Sequence, residues 1–381
     1  LTPEEEEILN GGKGETMAKV MKTLVMYGDA FGATKMVPVT SKMGHLVTSF
    51  GLGVMQPVYD LMDQLIAGGA LSSQKFSVDP KPLDPNVPSS FLKNIVFKKF
   101  MYNMQDSYDA QLAKLGLIDS KSYTCTCYMD EVGNTPKKGD VLSWAESSAV
   151  VYANSVLGAR CNRNSGIIEL FGSIVGRVPY FGLVTDEGRK ATWIVEVKTT
   201  KKPEAQILGS AIGMKVMEDV PYVKGLDKWI GTELDGDAKV YVIDDAELDR
   251  VKNNYPVMWK DKNATPKLCF VGCPHLSYDQ LVEWTENVCE SLKKNGRSKV
   301  SIPTVFTAAP AVVEKFNATP NAAKLKATGV VLSYICPLMY MNNPLAGKMP
   351  VITNSNKLRT YTTSRYYTSA EILDIITKEA K

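Results

Sequence analysis

Lys267-Leu268-Cys269-Phe270-Val271-Gly272-Cys273-Pro274-His275-Leu276-Ser277 is the stretch that decides the fold class. Its first half is a short apolar run closed by glycine and then proline, the pattern of a buried strand running into a turn. The period then changes. Leu281, Trp284, Val288 and Leu292 recur at helical spacing and mark an amphipathic helix. Working outward, strand-like runs return at 35–40, 191–198, 239–243, 302–307 and 329–335. Helical signals cover 54–67, 91–115, 140–157 and 203–216, with Met17, Val20, Met21, Leu24 and Val25 forming an earlier stripe. Thr2 with Glu5, and Thr368 with Glu371, have capping-box spacing at the first and last helices. Strands alternating with helices predict an α/β fold of layered α/β/α subdomains with mainly parallel sheets.

The chain has 381 residues, 44% hydrophobic and 22% charged, which supplies enough apolar side chains for a substantial core. Basic and acidic residues nearly balance at a net charge of +3 and are well mixed, which argues against a nucleic-acid partner. The acidic start, Glu4 to Glu7, does not resemble a secretory signal, and the longest apolar stretch, near 330–341, is too short to span a bilayer. A cytoplasmic location with no membrane attachment is expected. The seven cysteines then read as thiols or metal ligands rather than disulfides. No repeat or low-complexity linker divides the chain. Residues 1–381 are taken as two or three α/β subdomains, with boundaries near 135 and 300. The proline-rich stretch 79–88 is the best loop candidate and a candidate part of a site.

Ligands of α/β folds bind beyond the carboxyl ends of strands. Cys125, Cys273 and Cys336 each follow a strand-like run and so occupy such positions. Thiolates hold iron–sulfur clusters, but free cysteine is also a common core residue, and spacing alone leaves both readings open. Cys127 forms a C-x-C pair with Cys125, so a structural zinc site at Cys125, Cys127 and Cys273 is a further option. Cys269 and Cys289 read as core, and Cys161 lies in a polar loop. His45 and His275 are the chain's two histidines, too few for a three-histidine zinc site. Neither H-E-x-x-H nor G-x-S-x-G occurs, and Gly11-Gly12-Lys13-Gly14 lacks the phosphate-loop spacing. Glu146-Ser147-Ser148 falls within an apolar run read as helix over 141–157, with Asn154, Arg160, Asn162 and Arg163 at its far end. Such groups are costly to bury unless paired or bound to a ligand. Thr353-Asn354-Ser355-Asn356-Lys357 follows a strand and suits either a helix cap or an anion site.

With these clusters in hand, the sequence resembles the aconitase X family, specifically its large subunit or catalytic region. The likeness is carried by Leu9-Asn10-Gly11-Gly12-Lys13-Gly14, Val37-Pro38-Val39 with His45, Tyr123-Thr124-Cys125-Thr126, and Glu146-Ser147 with Tyr152-Ala153-Asn154-Ser155. It continues through Gly158-Ala159-Arg160 with Asn162-Arg163, Gly272 to Ser277, and Thr353-Asn354-Ser355 with Lys357 and Tyr361. The resemblance implies an iron–sulfur-dependent dehydratase that removes water from a small hydroxy acid such as mevalonate 5-phosphate, or alternatively cis-3-hydroxy-L-proline. An inactive or regulatory scaffold of the same fold is the third reading. The implied metal ligands are Cys125, Cys273 and Cys336. The implied catalytic residues are His45, Glu146, Ser355 and Lys357. Substrate contacts fall to Asn154, Arg160, Asn162, Arg163, His275, Asn354 and Tyr361. The resemblance leads us to expect the family's swivelling domain on a separate small subunit rather than within this chain. Departures from the family pattern fall at Tyr334-Ile335 before the third cysteine and at Cys127, Cys161 and Thr360. They put the substrate in doubt more than the metal.

Overall fold

A computed structural model describes residues 1–47, 51–87, 95–342 and 344–378. The chain forms two compact units. One comprises Leu1–Asp79, Ile95–Ile194 and Asp219–Val240; the other comprises Pro80–Asn94, Val195–Glu218 and Tyr241–Lys381.

The first unit begins with helix α1 (Pro3–Leu9). Its capping box is formed as expected: the Thr2 hydroxyl accepts from the Glu5 N–H, and the Glu5 carboxylate accepts from the Thr2 N–H. Helix α2 (Glu15–Ala30) turns Val20, Met21 and Leu24 inward. Strands β1 (Met36–Pro38) and β2 (Met43–Leu46), helix α3 (Gln56–Ala67) and strand β3 (Lys75–Val78) follow. Helix α4 (Gln105–Leu115) is shorter than the signal over 91–115. A π-helical turn, Val96–Met101, precedes it, and 91–94 lie outside the described residues. Helices α5 (Ser147–Ser155) and α6 (Ile168–Val175) and strand β4 (Arg177–Pro179) complete this part. Met21, Leu24, Met62, Phe76, Leu112 and Leu170 lie in one continuous core.

Strands β2 and β3 run parallel with His45 opposite Ser77. Single parallel bridges widen this pair. Phe76 meets Leu117 and Val78 meets Tyr123 on one side; His45 meets Trp144 on the other, and Val141 meets Arg160 beyond it. The next residues along these parallel segments include Asp79, Glu146 and Cys161, with Cys125 just after Thr124. The helix expected over 140–157 is therefore corrected. Residues 141–145 are extended and only 147–155 are helical. An apolar run suits either state, and here backbone partners decide: Leu142 N–H donates to Arg160 O and Ala145 N–H to His45 O.

Strand β5 (Ala191–Val197), helix α7 (Ala205–Val216), strand β6 (Pro221–Val223) and strand β7 (Leu234–Ile243) come next, the strands ordered β6-β5-β7 in one sheet. Helix α8 (Asp245–Asn253) leads into the second unit's main sheet. Its elements are β8 (Leu268–Leu276), α9 (Tyr278–Lys294), β9 (Thr304–Ala308), α10 (Pro310–Asn317), α11 (Pro320–Ala327), β10 (Val331–Ser333), α12 (Pro337–Met341), β11 (Val351–Thr353), α13 (Asn356–Tyr361), β12 (Arg365–Tyr366) and α14 (Ser369–Thr377). The strands are all parallel in the order β10-β9-β8-β11-β12. Strand β8 is central, which explains its unbroken apolar sequence, since central strands of parallel sheets are buried on both faces. Gly272 is required there. Its φ is +109°, and a Cβ would lie 2.3 Å from the Thr307 carbonyl oxygen. Helix α9 buries Leu281, Trp284, Val288 and Leu292, the stripe seen in the sequence. Among the described residues no helix is long and apolar enough to cross a membrane.

Candidate active site

In the first unit, the ends of the parallel segments carry a chain of polar side chains. His45 is fully buried on β2. Its Nδ1 lies 2.9 Å from Ser77 Oγ and its Nε2 lies 3.3 Å from Asp79 Oδ1. Asn134 Nδ2 donates to Ser77 Oγ at 2.9 Å and to Gly44 O at 2.9 Å, so the serine is fixed on both sides. The Trp144 ring stands edge-on to the imidazole at 6.0 Å. A buried histidine tied to a carboxylate has its ring orientation set, which suits proton transfer.

Glu146 stands at the next strand end. It is buried, and its φ of +95° is a left-handed conformation that costs a non-glycine residue energy. Its carboxylate caps α5, accepting from the Ala149 N–H at 2.8 Å and the Ser148 hydroxyl at 2.5 Å. Arg160 binds Asp186 and the Val184 carbonyl.

Among the described residues the buried cation is Arg189, which sequence reading missed. It donates to Asn154 Oδ1 at 2.7 Å and to the carbonyls of Asn154, Ala159, Leu183 and Trp229 at 3.2–3.3 Å. Asn154 is thereby fixed within this network. Its amide nitrogen donates to Val150 O and Cys161 O, and its oxygen also accepts from the Cys161 N–H. Asn162 is tied in the same way to Phe181 O and the Leu183 N–H. Arg163 is exposed.

In the second unit, Cys273, His275, Cys336 and Ser355 come together at the strand ends. His275 is buried, and its Nε2–H donates to the carbonyl of Ile335, the residue before Cys336, at 3.2 Å. Ser355 Oγ donates to the Cys273 carbonyl and accepts from the Leu358 N–H at 3.0 Å, capping α13. Cys336 caps α12, and its N–H donates to Lys81 O at 2.8 Å. Asp84, from the same proline-rich stretch, accepts from Ser333 Oγ at 2.5 Å. Of the stretch 79–88, a candidate part of a site, Asp79 belongs to the first unit and Pro88 lies outside the described residues. Asn354 donates to Ser369 Oγ at 3.3 Å, and Lys357 is half-buried on α13. Tyr361 is exposed and opens on a cavity of about 590 Å³ shared with Met258, Met341, Arg359, Thr360 and Thr363.

Burial separates the thiols. Cys127, Cys161 and Cys269 are 0% exposed, whereas Cys125 and Cys273 keep 8% and 9% and Cys336 is half-buried. Burial pushes the Cys161 thiol up to about 12 and holds Cys269 higher still, so both are inert core thiols. Cys127 belongs to an apolar cluster with Leu142, Trp144 and Val150, which favours a core role over zinc ligation. Cys289 is half-buried on α9 rather than core. The thiols at the strand ends thus fit a ligand set chemically: soft donors, near the surface, with hydrogen-bonded backbone around them. Within either unit, no three His, Cys, Asp or Glu side chains of the described residues gather closely enough to hold a metal ion. Cys125 lies in the first unit, Cys273 and Cys336 in the second.

Comparison with known proteins gives this arrangement a context. The family model described as the aconitase X first domain matches residues 1–187. The phosphomevalonate dehydratase large subunit of Thermococcus kodakarensis is 31% identical over 343 residues, covering 82% of each chain. The chain belongs to the aconitase X family. A second relative within it, the phosphomevalonate dehydratase large subunit of Methanocaldococcus jannaschii, is 27% identical across 95% of this chain and 94% of its own. The crystal structure of Thermococcus kodakaraensis aconitase X in its holo-form matches with a TM-score of 0.80 and 26% identity, covering 99% of both chains. The layered α/β architecture expected from the alternating elements is thus the aconitase X fold.

Proposed function

We propose that this aconitase X chain is the large subunit of a dehydratase that removes water from mevalonate 5-phosphate. The observation that carries the proposal is the likeness to phosphomevalonate dehydratase large subunits over 82% and 95% of this chain. A match to the cis-3-hydroxy-L-proline dehydratase of Hypocrea jecorina reaches 36% identity but covers only 28% of this chain, so that substrate is the weaker reading.

The proposed ligands of an iron–sulfur cluster are Cys125, Cys273 and Cys336. Held by these three thiolates, such a cluster would supply Lewis-acid chemistry for a departing hydroxyl. The chain's own residues would do the rest. His45, oriented by Ser77 and Asp79, is the candidate to hold and move a proton. Glu146 offers a fixed carboxylate at the adjacent strand end. Arg160, Arg163 and Lys357 are the candidate cations for a carboxylate or phosphate, with Asn162, His275, Ser355, Asn354 and Tyr361 as polar neighbours. Asn154 serves by holding the Arg189 network in place. A small subunit would complete the enzyme, as the relatives' description as large subunits suggests.

The test is direct. Protein co-expressed with its small subunit and purified without oxygen is expected to be brown and to carry iron and acid-labile sulfide. Cys125→Ala, Cys273→Ala and Cys336→Ala should each lose most of both, whereas Cys161→Ala and Cys269→Ala should keep them. Equal iron in all five variants, or zinc in place of iron, would overturn the ligand assignment.

A further inference from the structure

Glu169 has no place in the machinery described so far. It lies in the first turn of α6 and is 0% exposed. One carboxyl oxygen, Oε1, accepts from the Val47 N–H at 3.3 Å, just past the end of β2 and two residues beyond His45. The other, Oε2, is buried with no hydrogen-bond partner among the described residues. A buried carboxyl half-satisfied in this way calls for an explanation beyond packing. The same Leu46–Val47 peptide group that donates to Glu169 accepts, at its Leu46 carbonyl, from the N–H of Asp79 at 2.9 Å, and the Asp79 carboxylate bonds His45 Nε2.

We propose that Glu169 is a positioning residue that sets the charge balance of the His45–Asp79 pair. While neutral, it leaves the histidine governed by Asp79; once ionised, it adds a second negative charge at the same strand ends. The catalytic meaning of this rests on the dehydratase reading, but the electrostatic coupling does not.

The surroundings agree with a neutral acid. Burial raises Glu169 to about 8, against an ordinary value of ~4.3. The other titratable groups that interact with it, Tyr27, Tyr108 and Cys161, are each held above their ordinary values by burial and stay uncharged through that range. Asp79 is thus the charge that Glu169 would oppose when it ionises. Because the folded-state value is raised, the stability linked to this proton is full below the ordinary glutamate range. It is lost as pH rises through about 8.

With two histidines in the chain, isotope-labelled histidine gives two ring signals by NMR, and His45→Asn identifies one of them. In the wild-type complex the His45 signal is expected to show an inflection near pH 8. Glu169→Gln should abolish it and leave the His275 titration as it was. In an active preparation, kcat should fall with the same inflection in the wild type and lose it in Glu169→Gln. A wild-type His45 signal flat between pH 7 and 9, over roughly one unit either side of the expected midpoint, overturns the proposal, as does an inflection that survives Glu169→Gln. The ring signal needs no turnover, so failure of the dehydratase assay alone bears on the functional reading and leaves this coupling to its own test.

Discussion

Arg189→Met is expected to destabilise the protein by about 3–5 kcal/mol, the usual cost of breaking a buried charged network by removing one partner. Arg189 is 8% exposed, and its guanidinium fork reaches Asn154 Oδ1 and four backbone carbonyls. Burial lowers its pKa only to about 10, so it remains charged at neutral pH. Methionine fills much of the volume but donates nothing, which leaves several acceptors dry; each such group costs about 1–3 kcal/mol before relaxation. Lysine should recover little, because a single ammonium cannot match the planar fork. Thermal melting should show a fall of roughly 5–10 °C. Asn154 and the 158–162 segment should lose protection from hydrogen exchange first. A loss within 1 kcal/mol of wild type, on the scale of an exposed ion pair, would mean that the fork is not what holds α5 to the segment after Val184.

His45→Asn is expected to lower kcat by about 10²–10⁴-fold, the range for losing a positioned proton-transfer group. Asparagine keeps polar contact with Ser77 but cannot titrate. Iron and sulfide should be unaffected, which separates this variant from the cysteine replacements, and KM should shift only a few-fold. Asp79→Asn should fall between His45→Asn and wild type, since it removes the orienting carboxylate and leaves the ring. Full activity in His45→Asn would reassign the proton to Glu146 or to the partner subunit.

Much of the fold was legible. The apolar run at 267–272 marked the central strand because only burial on both faces tolerates such a sequence, and the stripe Leu281–Leu292 named the helix against it. Both capping boxes formed as spaced. What failed was the apolar stretch 141–157. Its composition suits a helix and a buried strand alike, and the choice was made by distant partners, Met43, His45 and Arg160, which no local pattern encodes. The same limit hid Glu169 and Arg189, and left Asp79 only as the first residue of a loop with a candidate site role. Asp79 follows a short strand and its histidine is 34 residues away. Glu169 sits in an apolar helix where an acid looks like an isolated exception. Arg189 is one of many surface-like charges until its carbonyl partners are seen. Burial also sorted the cysteines more sharply than spacing could, since Cys125 and Cys127 are neighbours in sequence but differ in access to solvent.

The account is tested most directly by incubating the iron-loaded complex of this chain and its small subunit with mevalonate 5-phosphate under anaerobic conditions and following the products by mass. The prediction is a product lighter than the substrate by one water, formed by the wild type and absent with Cys273→Ala. An iron-loaded, folded complex that leaves mevalonate 5-phosphate unchanged would contradict it.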